Sequence, residues 1–356
     1  LRRTTDSSGR SFTNRPRLND KVSPFAEYQE RFTQRHERYA AWATQELLLP
    51  EGYVSGLEEL VLGEPAHLPF ALTLLAENFR AWPEFLATHA EWNISHWELR
   101  DDLLSAEQIE LALETLPPEK ILYSQRRSSE RPEALRADWA LELGEPPSAS
   151  FSLSLHEREE DFTSTLSALS VLAWKSDVLK LAVEVKDFTE LKQGHRWWLQ
   201  DPTRRSFLPR SKDGRWRWYR SLFGPRMPLH FIREGDGSAL DQPPIWQALL
   251  QPTFKEKFAA VLGEPVEHSR TPLEHAAFFA ERLIPVVAIA VPEDEFPVAL
   301  EFLLELGMTF AAVTAPLKKL AWASATSLSP EARAMQAANT LVINGRTIVA
   351  HNTDVL

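Results

Sequence analysis

Five side chains suited to chemistry on a small ketone or acid fall in, or at the ends of, short apolar runs. Glu98 and Arg100 close the run Asn93–Arg100, Arg126 closes Lys120–Arg126, and His156 closes Ala149–His156. Lys180 lies inside Val178-Leu179-Lys180-Leu181-Ala182. A lysine in an apolar strand more often points outward to solvent. The sharper reading is an amine whose ammonium form is disfavoured by burial and by the charges of Arg100 and Arg126. Such an amine could attack a ketone and form a Schiff base. His156 taken alone is likewise more often structural, but an imidazole titrating near neutrality suits general acid–base work.

These residues need a scaffold that brings strand ends together. Apolar runs at Pro69–Ala76, Asn93–Arg100, Lys120–Arg126, Trp139–Leu143, Ala149–His156, Val178–Val185, Arg205–Pro209 and Met227–Arg233 read as strands. Amphipathic stretches at Asn78–His89, Ser105–Leu116, Asp161–Ala173 and Asp187–Leu199 read as helices between them. Strands alternating with helices predict a parallel (β/α)8 barrel, in which functional side chains project from the C-terminal strand ends. Only Gly144-Glu145-Pro146-Pro147 joins the fourth and fifth runs, too short for a crossover helix, so the barrel is expected to be abbreviated there. A second alternating segment follows, with strands at Phe258–Gly263, Val286–Val291 and Phe310–Thr314 and helices at Pro272–Leu283 and Phe296–Leu306. Asn344-Gly345 between two apolar triplets predicts a hairpin.

Composition narrows the function class. The 356 residues suggest two or three domains at roughly 150 residues each. A net charge of -11 works against binding a nucleic-acid backbone. With no cysteine there is no disulfide, zinc-thiolate site or thiol nucleophile. No apolar run approaches the roughly 18 residues of a membrane span. No GxxxxGK[ST] occurs, and Gly235-Asp236-Gly237 has Leu240 where a third glycine belongs. The chain starts on Leu1 and stops two residues after Asp354, and both ends read as cut through something larger.

Ordered motifs then carry a resemblance. Residues 66–255 resemble the type I 3-dehydroquinate dehydratases. The matching pieces are Trp97-Glu98-Leu99-Arg100, Ser124-Gln125-Arg126 with Glu130, Ser154-Leu155-His156 and Asp177-Val178-Leu179-Lys180-Leu181-Ala182. They continue through Gly214-Arg215-Trp216-Arg217 to Phe223-Gly224 and end on Ser238-Ala239-Leu240-Asp241-Gln242. Residues 1–62 resemble the C-terminal part of a shikimate kinase, with Asn14-Arg15-Pro16-Arg17-Leu18 like an ATP lid and Arg35 like a shikimate-holding arginine. Residues 257–356 resemble a shikimate dehydrogenase substrate-binding domain, through Gly263–Pro272, Val313–Lys318, Ala338-Asn339-Thr340 and Asn352-Thr353-Asp354. Together the three units resemble a section of the pentafunctional arom polypeptide. The fold implied is α/β, a TIM-type barrel followed by a small α/β domain and preceded by a partial kinase segment.

The resemblance implies roles. Lys180 forms an imine with the C3 ketone of 3-dehydroquinate, His156 moves the C2 proton and protonates the departing hydroxyl, and Glu130 orients His156. Glu98, Arg100, Arg126, Ser238 and Gln242 bind hydroxyls, and Arg217 takes the carboxylate. In the third unit Lys318 and Asp354 form the catalytic pair, with Ser269, Thr271, Thr314 and Asn339 lining a shikimate pocket. No metal or organic cofactor is implied for the dehydration. NADP and ATP are implied for a complete parent enzyme, with their binding loops absent from this chain. The implied setting is cytoplasmic, with small-molecule substrates, no nucleic-acid or membrane partner, and room for a homodimer. The rival is a non-enzymatic sensor resembling the quinate repressors, which share the three-unit order; Lys180 and His156 together weigh against it.

Overall fold

The computed structural model describes residues 68–354 apart from 90–93, 128–135, 145–149, 172–175, 236, 251, 267, 276–278 and 280–281. All of these belong to the compact unit Glu58–Leu356. Two sheets organise it.

The first sheet is built from β1 (Leu68–Thr73), α1 (Trp82–His89), β2 (Ile94–Arg100), α2 (Ala106–Thr115), β3 (Ile121–Gln125), β4 (Arg136–Ala140) and β5 (Ser150–Leu155). It continues through α3 (Phe162–Val171), β6 (Ser176–Leu181), α4 (Phe188–Leu199), β7 (Arg205–Phe207), α5 (Arg217–Phe223), β8 (Phe231–Ile232) and α6 (Ile245–Leu250). The strands lie in the order β7-β6-β5-β4-β3-β2-β1-β8, every pair parallel. Helix starts follow local chemistry. Ser105 caps α2 by accepting from Gln108 N (3.3 Å) while Gln108 returns to Ser105 N (3.0 Å). Asp187 caps α4 through Glu190 N at 2.9 Å.

The sheet curls. Lys180 of β6 stands 4.6 Å from the ring centroid of Phe231 on β8, although the two strands lie near opposite ends of the ladder. Among the described residues no ladder joins β7 to β8, which departs from a continuous barrel; Ser206 Oγ of β7 instead accepts from Leu229 N at 3.0 Å. The fourth strand also departs from expectation. It runs over Arg136–Ala140 rather than 139–143, and Leu141–Leu143 form one 3-10 turn closed by Gly144 at φ 96°. The side chains of Thr73, Glu98, Ser124, Asp138, Ser152, Ser154, Lys180 and Ser206 are all buried. Burying so many polar groups is tolerable only where they bond one another.

The second sheet comprises β9 (Phe258–Gly263), α7 (Thr271–Glu274), β10 (Val286–Ala290), α8 (Phe296–Glu305), β11 (Met308–Val313) and α9 (Lys318–Ala323). It ends with β12 (Ser327–Leu328), α10 (Pro330–Met335), β13 (Thr340–Asn344) and β14 (Thr347–His351). Its order is β10-β9-β11-β13-β14-β12, parallel across β10-β9-β11 and antiparallel from β11 to β13 and β13 to β14. The hairpin is present, but Asn344 pairs with Thr347, so the turn is Gly345-Arg346. Gly at the first turn position, at φ 60°, supplies the backbone this tight connection needs. Of the helix expected over 272–283, Thr271–Glu274 and Phe279 are described as helical, with Leu283 at φ 54° beyond them.

One apolar core runs through both sheets, from Leu153 and Phe207 to Phe258, Phe302 and Leu341. Helix α4 packs on α8: Lys192 meets Glu301 (3.3 Å) and Glu305 (2.8 Å), and the rings of His195 and Phe302 lie 5.5 Å apart.

Candidate functional site

A cavity of about 250 Å³ opens at the C-terminal ends of the first sheet's strands, lined by Lys180, His156, Glu98, Arg100, Arg126, Ser238 and Gln242 among others. These are seven of the residues singled out from sequence. Lys180 is 3% exposed and lines this cavity, so its side chain points inward rather than to solvent. The register explains the gathering, since Ser154 lies opposite Lys180 between β5 and β6 and Arg100 opposite Ser124 between β2 and β3.

Beneath Lys180 lies Asp138, which the sequence reading missed. One carboxylate oxygen of Asp138 accepts from both Lys180 Nζ and the Arg126 guanidinium, and the other from Ser152 Oγ and Ser154 Oγ. Burial raises the Asp138 carboxyl, but Lys180 and Arg126 outweigh it and hold it well below the usual carboxylate range. Burial pushes Lys180 down to about 8, with Asp138 opposing the fall and Arg126 adding to it. A signal existed: by strand alternation Asp138 shares a face of β4 with Ala140, which lines the cavity. The strand expected to begin at Trp139 left Asp138 outside it.

His156 is pushed down to about 4 by burial, which outweighs the hydrogen bond to Glu142; Lys180 and Arg126 add to the fall. Glu142 Oε2 lies 3.3 Å from His156 Nδ1, and Glu142 Oε1 accepts from His156 N and from Glu157 N. A ring donating from Nδ1 leaves the lone pair on Nε2. Glu130, expected to orient this ring, lies outside the described residues; Glu142 is the carboxylate found at Nδ1.

Other side chains differ from expectation in what they touch. Arg100 is paired with Asp102 at 2.7 Å, and Glu98 accepts from Thr73 Oγ1 (2.6 Å) and Ser124 Oγ (2.7 Å). Gln242 is used internally, donating to Thr73 Oγ1 at 2.8 Å and accepting from Ser238 N at 2.8 Å, so it shapes the loop that presents Ser238. Arg217 does not line the cavity; its Nε donates to Leu240 O at 2.9 Å. Arg220, three residues further along α5, and Arg210 line the cavity. Arg220 is 3% exposed, its Nε has no partner among the described residues, and burial pushes it down to about 10. Along α5, Arg220 faces the cavity and Arg217 does not, a choice that short motif spacing does not encode.

The second constellation forms at one end of the second sheet. Lys318 Nζ meets Asp354 Oδ2 at 2.6 Å. Asn339 Nδ2 donates to Thr353 Oγ1 at 3.0 Å, and Val313 N bonds Asn339 O at 2.8 Å. Thr314 follows β11 and crowds Gly263 at the end of β9, where an added Cβ would lie 2.3 Å from Thr314 Cγ2. Glycine there lets the two loops touch. Ser269 Oγ accepts from Thr271 N at 3.4 Å on the loop after β9. Arg15 and Arg35 lie outside the described residues. Among the described residues no cluster of His, Asp and Glu could hold a metal ion. No helix among them is long and apolar enough to cross a membrane.

Residues 261–341 match the family model of the shikimate dehydrogenase substrate binding domain. A shikimate dehydrogenase (NADP(+)) of Syntrophobacter fumaroxidans is 36% identical over 108 residues, covering 30% of this chain and 37% of that protein. The shikimate 5-dehydrogenase of Thermus thermophilus, solved with NADP(H) and shikimate, is 33% identical over 28% of this chain and 38% of its own, at a TM-score of 0.26. The dehydroquinate dehydratase and shikimate dehydrogenase portion of S. pombe AroM aligns over 81% of this chain and 65% of its own, at 19% identity and a TM-score of 0.37. The chain spans about a third of the length of the curated relatives it matches.

Proposed function

We propose that residues 66–255 dehydrate 3-dehydroquinate to 3-dehydroshikimate through a lysine imine, beside a shikimate-binding unit at 257–356, within a multifunctional shikimate-pathway enzyme. The observation that carries this reading is the buried amine of Lys180 at the floor of a small cationic cavity that His156 also lines. An amine brought down to about 8 has a usable neutral fraction near pH 7, and an imine draws electrons better than a ketone. The adjacent C–H is thereby acidified. His156, neutral at pH 7, takes that proton on Nε2 and returns one to the departing hydroxyl. Arg220, with no partner on Nε among the described residues, would receive the substrate carboxylate, with Arg210 beside it.

In the second unit Lys318 and Asp354 would polarise and protonate an oxygen of shikimate or its ketone, with Thr314 and Asn339 close by. A nicotinamide, when bound, would supply hydride. The described residues of this unit include no glycine-rich turn opening a helix, so none of them is assigned to hold it. ATP, implied only through Arg15 and the kinase resemblance, is assigned no step either.

One observation favours a second reading, ligand sensing without turnover: Lys180 and Arg126 share Asp138, and Arg100 is taken by Asp102. Two measurements separate the readings. The chain mixed with 3-dehydroquinate should develop the ultraviolet absorbance of a conjugated product, and borohydride should trap the ligand on Lys180. An adduct on Lys175 or Lys186, or none, would remove the imine mechanism. Binding of the ligand with no product would establish the sensor.

A further inference from the structure

We propose that Asp138 is the counter-ion of Lys180 throughout imine formation, holding the nitrogen positively charged on both sides of that step. The proposal rests on the dehydratase reading and adds a positioning residue to it. Asp138 is wholly buried on β4, and its carboxylate receives four donors: Lys180 Nζ, the Arg126 guanidinium and the hydroxyls of Ser152 and Ser154. It reaches Lys180 across β5, where Asp138 pairs with Ser152 and Ser154 pairs with Lys180. Both intervening inward side chains are serines. Larger residues there would fill the gap between carboxylate and amine.

The charges around Lys180 come from several elements: Glu98 on β2, Arg126 after β3, Asp138 on β4, His156 after β5 and Arg220 on α5. The oxygens of Glu98 are bonded to Thr73 and Ser124, and Glu142 is bonded to His156. Among the described residues Asp138 is the carboxylate in hydrogen-bond contact with the amine.

The balance of the reaction gives this contact a purpose. A protonated lysine and a ketone yield a protonated imine and water: the C=O bond breaks, a C=N bond forms, and the total charge stays at plus one. Of the three ammonium protons one is given up for the attack, a second leaves the nitrogen of the adduct, and both depart with the carbonyl oxygen as water, while the third stays on the imine nitrogen. Asp138 therefore faces one cation before and after, and its four donors need not rearrange. Without that carboxylate a buried iminium would shed its proton, and the neutral imine withdraws electrons less well.

The test uses the full chain and two readouts. Cyanate labels neutral amines, so labelling of Lys180 against pH, followed by peptide mass mapping, reports its titration without substrate. The wild-type midpoint is expected at about 8. Asp138→Asn should lower it by about one to three pH units, and Arg126→Gln should raise it, since a neighbouring cation is removed. With 3-dehydroquinate and borohydride, Asp138→Asn should trap at lower pH than wild type while turnover falls roughly 10²-fold. An unchanged or raised midpoint in Asp138→Asn, with trapping intact in wild type, overturns the assignment of Asp138 alone. Should that variant fail to fold, Ser154→Ala, which takes one donor from the Asp138 carboxylate, should raise the midpoint, and a midpoint that does not rise overturns it equally. Absence of any adduct in the wild-type chain overturns the dehydratase reading, and the counter-ion role with it.

Discussion

Lys180 and His156 meet opposite requirements in one cavity: the amine must lose its proton to attack, and the imidazole must be ready to accept one. Burial drives both toward their neutral forms, Lys180 to about 8 and His156 to about 4. For Lys180 the protonated form dominates below about 8, so kcat/KM should rise about tenfold per pH unit up to that point and then level off. His156 is already neutral throughout that range. Stopped assays across pH should therefore show no limb near 6.5, the ordinary histidine value; such a limb would mean the ring is solvated. His156→Ala should still form the trapped imine yet lose about 10²–10⁴ in turnover. Near wild-type turnover in that variant would take histidine out of the mechanism.

At the scale of elements, the site depends on how closely α4 approaches the sheet. Gly194 sits in the middle of α4, where a Cβ would fall 2.1 Å from Phe207 Cζ on β7. The strand next to β6 is thus pressed against a helix that has no side chain at the crossing. Gly194→Ala should destabilise the fold by about 1–3 kcal/mol despite alanine's better helix propensity, because the ring has no free space to enter. Urea unfolding measures this, and a stabilised variant would show that α4 can lift away. The shortened connection after β4 acts likewise. Gly144 ends its single turn, and Glu142 on that turn fastens His156 through one side-chain and two backbone donors.

At the scale of the whole molecule, Glu295 ties the two sheets together. It accepts from Phe188 N at 2.9 Å at the start of α4 and pairs with Arg215 at 3.0 Å. Arg215 lies over the rings of Trp216 (4.3 Å) and Phe188 (5.4 Å), on the loop that leads into α5 and its Arg220. Glu295→Ala leaves a half-buried guanidinium and a helix-start amide without that acceptor, and should cost about 1–3 kcal/mol. Hydrogen exchange should then show faster opening of the first turn of α4 and of the 214–217 loop. Unchanged protection there would mean the apolar contacts of Phe302 and His195 carry the junction alone.

Most of what recurs with a short period was legible in the sequence. Strand runs, amphipathic helices and a hairpin follow from local backbone chemistry, and the lysine, histidine, Glu98 and Arg126 stand at strand ends because parallel strands share a polarity. The shikimate dehydrogenase likeness of the last unit was also written in contiguous motifs, and residues 261–341 match that family's substrate-binding domain. What only the tertiary structure decided is partnership. That Asp138 lies under Lys180, that Glu142 reaches His156, and that Arg220 rather than Arg217 faces the cavity depend on which strands curl together and how α5 is rotated. Those choices are made by packing between residues far apart in the chain, and a linear spacing carries no record of the third dimension in which two charges meet.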